Sequence, residues 1–205
     1  MSVKKKVIVV GGVAGGATAA ARLRRLDENV EIIVFEKGEY ISFANCGLPY
    51  YIGGVIKDKS ALTLQTAQSF KERYNIDVRI HSEVVSIDPK AKTVNVRNLA
   101  LNTNYIESYD KLILSMGAFP IVPEIEGVNS DKVFTLRNIP DSYRIKDYIE
   151  KKNPKKAVIA GGGFIGVEMA ENLHSAGLST SIIEMADQVI APVDYDMACD
   201  VHRYI

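Results

Sequence analysis

The chain predicts an α/β fold built on two βαβ units, and three observations carry that expectation. A short apolar strand, a glycine-rich turn and an Ala/Leu/Arg-rich helix open the sequence, and the same order returns from Lys156. Each repeat closes on a second apolar strand followed at once by a glutamate, Glu36 or Glu184. Hydrophobic residues make up 47% of the 205 positions, enough for a packed core. Strand, glycine turn, helix, strand and terminal acid together describe a Rossmann-like dinucleotide-binding unit.

Composition narrows the function classes. There are 25 basic and 25 acidic residues, so the formal net charge is 0 and an electrostatic nucleic-acid binder is not expected. No apolar run approaches the roughly 18 residues of a membrane span. Lys4-Lys5-Lys6 precedes an apolar stretch too short for a signal peptide. The 2 cysteines, Cys46 and Cys199, are far apart and suit a reducing compartment, so a cytoplasmic protein without membrane partners is expected. His81, His174 and His202 are scattered, and no Cys/His cluster has metal-ligand spacing.

In chain order, Val3 to Val10 is expected as a buried strand. The turn Gly11-Gly12-Val13-Ala14-Gly15-Gly16 leads into a helix over Ala17 to Leu26, then a strand over Glu31 to Phe35. Glu36 lies 20 residues after Gly16, the spacing of a ribose-binding carboxylate. Val13 stands where a G-x-G-x-x-G turn has the glycine that lets backbone approach a pyrophosphate. Thr18, Arg22 and Arg25 share one helix face, where two guanidinium groups can hold phosphates, although a solvated basic face has the same pattern.

The run Ser42 to Gly54, SFANCGLPYYIGG, holds Cys46 between turn-forming neighbours, since Gly47 and Pro49 interrupt regular structure. No C-x-x-C accompanies it, so a redox role needs a small thiol, an oxygen species or a cofactor as partner; the alternative is an inert buried cysteine. A helix is expected over Ala67 to Tyr74, and strands over Asp77 to Ile87, Thr93 to Arg97 and Tyr105 to Ser108 as a β meander. Tyr109 to Ala118 is expected as a buried strand running into Ser115-x-Gly117, with Pro120 and Pro123 stiffening a linker.

The second unit follows a helix over Asp141 to Lys151. Its strands are expected over Lys156 to Ala160, buried, and Thr180 to Ile183, with a helix over Val167 to Ala176 between them. Gly161-Gly162-Gly163-Phe164-Ile165-Gly166 is a complete fingerprint. Glu184 would bond a ribose 2′-hydroxyl and repel a 2′-phosphate, which favours NADH over NADPH. Cys199, in the helix-like run DMACDVHRY, is expected as a small buried side chain. The division expected is 1–120, a first portion with the meander, and 121–205, a linker and the start of a second domain.

The runs SFANCGLPY, GGVAGGA, Ser115-x-Gly117-Ala118 and GGGFIG-x-E-MAE resemble coenzyme A disulfide reductases, single-cysteine FAD enzymes of the pyridine nucleotide-disulfide oxidoreductase superfamily. The resemblance implies that Cys46 is the redox-active residue and that Thr18, Arg22, Arg25, Ser42 and Asn45 contact coenzyme A. It implies FAD on Gly11, Gly12, Ala14, Gly15, Gly16, Glu36, Lys37, Val84, Ser115 and Gly117. It implies NADH on Gly161, Gly163, Phe164, Gly166, Glu168 and Glu184. The implied activity is NADH-dependent reduction of coenzyme A disulfide, or of a coenzyme A persulfide or polysulfide.

Rival expectations remain. NADH oxidases and peroxidases share the scaffold and cycle a lone cysteine through a sulfenic acid; Asn45 and Leu48-Pro49-Tyr50 here favour coenzyme A substrates. A reading of another class is an inactive nucleotide-binding fragment. The resemblance covers nearly all 205 residues but less than half of a typical member. A second flavin-binding strand with a Gly-Asp pair and a dimerisation domain are not found, so both units are expected to be incomplete and the chain an N-terminal piece. Turnover is expected only of the complete form, as a homodimer.

Overall fold

The computed structural model describes residues 5–205. Val3 and Lys4 of the expected first strand lie outside the described residues. The first elements are β1 (Lys6–Val10), α1 (Ala14–Leu26), β2 (Glu31–Phe35) and α2 (Leu48–Ile52). Next come α3 (Ala67–Tyr74), β3 (Asp77–Arg79), β4 (Ser82–Asp88), β5 (Thr93–Asn98), β6 (Thr103–Ser108) and β7 (Lys111–Leu114). The chain ends with α4 (Ile139–Lys152), β8 (Lys156–Ala160), α5 (Phe164–Ser175), β9 (Ser179–Ile183) and α6 (Tyr195–Tyr204). These elements form two compact units. The first takes the chain up to Ala44 and again over Thr63–Phe119; the second takes Asn45–Leu62 and Pro120–Ile205.

In the first unit, β3, β2, β1 and β7 form a parallel sheet in that order. Side chains alternate across a strand, and both faces of β1 and β2 are covered. Val7, Val9, Ile32 and Val34 pack with Ala17, Ala20, Phe70 and Ile76 of the helical layer. Ile8, Val10, Ile33 and Phe35 pack with Val94 and Val96 of the antiparallel sheet β4-β5-β6. This double covering explains the unbroken apolar runs of β1 and β2.

One expected strand divides. Asp77 to Ile87 breaks at His81, which takes a positive φ of 51°. The His81 amide donates to the Gly38 carbonyl at 3.2 Å, and the Ser82 amide to the Glu36 carbonyl at 2.9 Å. The first piece, β3, therefore extends the parallel sheet beside β2, and the second, β4, opens the meander. Two shorter corrections concern length: α1 begins at Ala14 rather than Ala17, and β7 spans only Lys111–Leu114 and is partly exposed rather than buried.

An ion-pair network ties these layers together. Glu107 on β6 accepts from Lys6 Nζ on β1 and from Arg79 on β3, each at 2.8 Å. The Arg79 guanidinium also lies 5.5 Å from the Phe35 ring centroid. Burial pushes the Glu107 carboxyl up, but hydrogen bonds and charge from Lys6 and Arg79 outweigh it and hold the group below its ordinary value.

The second unit pairs β8 with β9 in parallel. Its core contains Ile145, Met169, Leu173 and Leu178, and Ile52 from the 45–62 segment joins them. That segment is held by α4 and α5. Lys146 Nζ donates to the Tyr51 carbonyl at 2.7 Å and lies 4.6 Å from the Tyr51 ring centroid. A Cβ on Gly53 would come within 2.8 Å of Asn172 O and Oδ1, so helix α5 closes directly on this backbone. The 45–62 segment thus groups with residues that a division at 120 separates from it. Strands β8 and β9 alternate between exposed and half-buried residues, so the expected buried strand at Lys156–Ala160 is covered on one face only. On α6 it is Ala198 that is fully buried; Cys199 is half-buried.

Candidate active site and nucleotide turns

The first glycine turn joins β1 to α1. Gly11 takes φ +98°, and a Cβ there would sit 2.1 Å from the Ser115 carbonyl oxygen. A Cβ on Gly16 would meet the Gly11 carbonyl oxygen at 1.7 Å, so this glycine lets helix and turn touch. Gly15 faces Ser115 Oγ in the same way, at 2.5 Å from an ideal Cβ. The Ser115 amide donates to the Val10 carbonyl at 2.8 Å, and Gly117 takes φ +73°. The Ser115-x-Gly117 segment is therefore brought against Gly11 and Gly15, although a hundred residues of chain intervene.

Glu36 closes this turn. Its Oε2 accepts from the Gly12 amide at 2.8 Å and its Oε1 from the Gly38 amide at 2.7 Å. Each carboxylate oxygen keeps a lone pair for a ribose hydroxyl. Lys37 has its ammonium engaged elsewhere: it donates to Glu83 Oε1 at 2.7 Å and lies 5.6 Å from the Phe119 ring centroid. The Val84 side chain packs into the core under the meander.

The second turn repeats this construction. Gly161 takes φ +106°, and a Cβ on Gly166 would meet the Gly161 carbonyl oxygen at 1.9 Å. Glu184 Oε2 accepts from the Gly162 amide at 2.6 Å and Oε1 from the Ala186 amide at 2.8 Å. The Ala186 and Gly162 N–H groups hold this carboxyl below its ordinary value. A Cβ on Gly163 would meet nothing within 4 Å, so the turn is open where Val13 places a side chain in the first unit. Phe164 is exposed beside it, and Glu168 lies one helical turn further along α5, half-buried.

Helix capping separates these two helices from α3 and α4. The amides at the start of α3 and α4 are satisfied by reciprocal boxes, Thr66 with Ser69 and Asn138 with Asp141. The helices that follow the glycine turns, α1 and α5, have no side-chain cap and no acidic residue in the first turn. Their free N–H groups and positive dipole ends suit a pyrophosphate. The residues of both turns therefore fit a dinucleotide.

A cavity of about 390 Å³ opens in the first unit between α1, α3 and the neighbouring loops. Thr18 and Arg25 line it from α1, Ser42 and Gln65 from the loops, and Phe70 and Tyr74 from α3. The Arg22 and Arg25 guanidinium groups have no hydrogen-bond or ion-pair partner among the described residues, and Arg22 stays outside the cavity lining. Of the five expected substrate contacts, Thr18, Arg25 and Ser42 are brought together here. Gln65 and Phe70 were not legible from sequence as cavity walls, because nothing local to them marks a ligand.

Asn45 and Cys46 belong to the second unit. Asn45–Gly47 forms a single 3₁₀ turn leading into α2, with Cys46 exposed. This is the short irregular setting that Gly47 and Pro49 imply. Asn45 Oδ1 is buried and has no hydrogen-bond partner among the described residues. An acceptor of this kind is costly unless a ligand donor reaches it.

Comparisons with known proteins agree with this architecture. Coenzyme A disulfide reductase of Staphylococcus haemolyticus (strain JCSC1435) is 44% identical over 193 residues, covering 94% of this chain and 43% of that protein. The crystal structure of reduced Bacillus anthracis CoADR-RHD superposes with a TM-score of 0.94 at 55% identity, covering 98% of this chain and 36% of that one. The NAD-dependent persulfide reductase from A. fulgidus gives 0.90 at 38% identity, covering 97% of this chain and 37% of that one. The chain thus spans less than half the length of these relatives. Residues 5–204 match the pyridine nucleotide-disulphide oxidoreductase family, and the chain belongs to it.

Proposed function

We propose that the complete protein uses NADH to reduce coenzyme A disulfide, or a persulfide or polysulfide of coenzyme A, through Cys46. The observation that carries this reading is the cavity beside α1. It combines apolar walls with Thr18, Ser42 and the unpaired Arg25 guanidinium, a lining suited to a ligand with phosphates and an apolar arm. Cys46 follows Ser42 by four residues, and the orphaned Asn45 oxygen precedes it immediately.

Gly11, Gly12, Ala14, Gly15, Gly16, Glu36, Ser115 and Gly117 would hold FAD, with Lys37 and Val84 offering backbone. Bound there, FAD supplies a two-electron relay between nicotinamide and disulfide. Gly161, Gly163 and Gly166 would admit the NADH pyrophosphate, Phe164 and Glu168 would border the nicotinamide, and Glu184 would repel a 2′-phosphate. Attack by Cys46 on an incoming disulfide needs its thiolate, because the thiol is a poor nucleophile. The Cys46 sulfur attacks the substrate disulfide, the S–S bond breaks, one coenzyme A thiolate leaves and Cys46 remains in a mixed disulfide with the other. Two electrons from NADH then free the second thiol. Arg22, Arg25 and Thr18 would hold the substrate phosphates during this exchange. The same reading takes the full-length protein as a cytoplasmic homodimer without nucleic-acid or membrane partners; no helix among the described residues is long and apolar enough to cross a membrane.

A second reading draws on the water-forming NADH oxidase from Lactobacillus brevis, which is 31% identical with a TM-score of 0.89 over 98% of this chain and 44% of that one. Cys46 would then cycle through a sulfenic acid. Anaerobic titration of the full-length protein with NADH, with liberated thiols identified by mass, decides between them. Release of coenzyme A supports disulfide reduction. Uptake of the same electrons without a released thiol supports the oxidase reading.

A further inference from the structure

We propose that Arg24 is a positioning residue for the ligand of the α1–α3 cavity, clamping the C-terminal ends of the two helices and so setting the separation of Tyr74 from Arg25. This rests on the functional reading above. Three arginines, Arg22, Arg24 and Arg25, stand together at the end of α1, and only Arg24 is tied down. Its Nε donates to the Tyr74 carbonyl at 2.8 Å, and one terminal nitrogen donates to the Asn75 carbonyl at 3.1 Å. The other donates to the carbonyls of Asp27 and Glu28 at 3.2 and 2.6 Å. All four acceptors lie at or just past helix ends, where carbonyls lack intrahelical partners. Asn75 itself caps α3 in the left-handed conformation, φ 48°.

Only a guanidinium can serve this site, because its donors point outward in a fixed plane. A lysine ammonium of similar charge cannot reach two helix ends at once. The grip falls at the root of a cavity wall: Tyr74 lines the cavity and meets Phe70 edge-on at 5.2 Å between centroids. Across the space stands Arg25, the residue directly after the clamp. Arg24 is not part of the lining, and, unlike those of Arg22, its donors are engaged by four carbonyls. Losing it therefore acts through the geometry of the walls.

The test uses full-length protein carrying its flavin, with Arg24→Lys and Arg24→Ala variants. The probe is adenosine 3′,5′-bisphosphate, the nucleotide end of coenzyme A without its thiol, measured by calorimetry beside steady-state kinetics. Both variants are expected to weaken bisphosphate binding and raise KM for coenzyme A disulfide about tenfold, with kcat and the KM for NADH unchanged. Arg24→Lys decides the matter if Arg24→Ala fails to fold. Wild-type binding matched by the Arg24→Lys variant, even with a lowered Tm, overturns the clamp alone and leaves the cavity assignment standing. Absence of bisphosphate binding in the wild type overturns the cavity assignment, and the clamp with it.

Discussion

Gly163→Ala and Gly166→Ala differ by three residues and should fail in opposite ways. At Gly163 a Cβ meets nothing within 4 Å, and the backbone at φ −73° is open to any L-residue. Replacing glycine here restricts the unfolded chain, a gain of about 0.4–1 kcal/mol. Alanine is a poorer N-cap than glycine, and losing a favourable cap costs about 0.5–2 kcal/mol. The two effects nearly cancel, so the stability of the nucleotide-free protein should hardly change. The added methyl instead occupies the space a pyrophosphate needs, and NADH affinity should fall tenfold or more, about 1.4 kcal/mol at least. At Gly166 the Cβ would stand 1.9 Å from the Gly161 carbonyl oxygen and 3.0 Å from its carbon. Backbone must move there, and overpacking of this kind costs about 1–3 kcal/mol. Thermal unfolding of each variant with and without NADH separates the cases. A Gly163→Ala protein as unstable as Gly166→Ala, or one binding NADH as the parent does, would refute the argument.

Four further outcomes follow from the geometry. Cys46→Ser in the full-length protein should abolish NADH-dependent release of coenzyme A while leaving NADH binding intact; unchanged turnover would remove Cys46 from the reaction. Arg25→Ala should raise KM for coenzyme A disulfide by about tenfold, the loss of one charge-assisted phosphate contact, without altering the KM for NADH. Glu184→Ala should raise kcat/KM for NADPH relative to NADH and loosen the second turn, because the Gly162 amide loses its acceptor; an unaltered ratio of kcat/KM for the two nucleotides would contradict this. Glu107 is held below its ordinary value near 4.5, so its contribution is present above that pH and is lost as pH falls through the depressed folded value. Glu107→Gln should therefore flatten the fall in stability below about pH 4.5 seen by chemical denaturation, and an identical acid limb in both proteins would contradict it.

The repeated turn was legible because its requirements are local. Gly16 and Gly166 are forced by contacts within one βαβ unit, Gly11 and Gly161 take the positive φ of the turn, and Glu36 and Glu184 follow their strands directly. Cys46 was legible for the same reason, since Gly47 and Pro49 are neighbours in sequence and confine it to a short turn. The split of Asp77 to Ile87 was hidden: its apolar pattern runs on smoothly, and only the Glu36 and Gly38 carbonyls, far away in sequence, bend the chain at His81.

Sequence alone determined the α/β class, both glycine turns, their terminal acids and the short-turn setting of Cys46, because backbone sterics and residue spacing act over a few positions. Tertiary structure decided what no spacing encodes. It set Ser115 against Gly11, sent the 45–62 segment to the second unit, and built one cavity from α1, α3 and distant loops. It also gave Arg24 and Arg25 opposite fates. Adjacent and chemically identical, they leave the helix about 100° apart, so one finds four carbonyls and the other an open cavity.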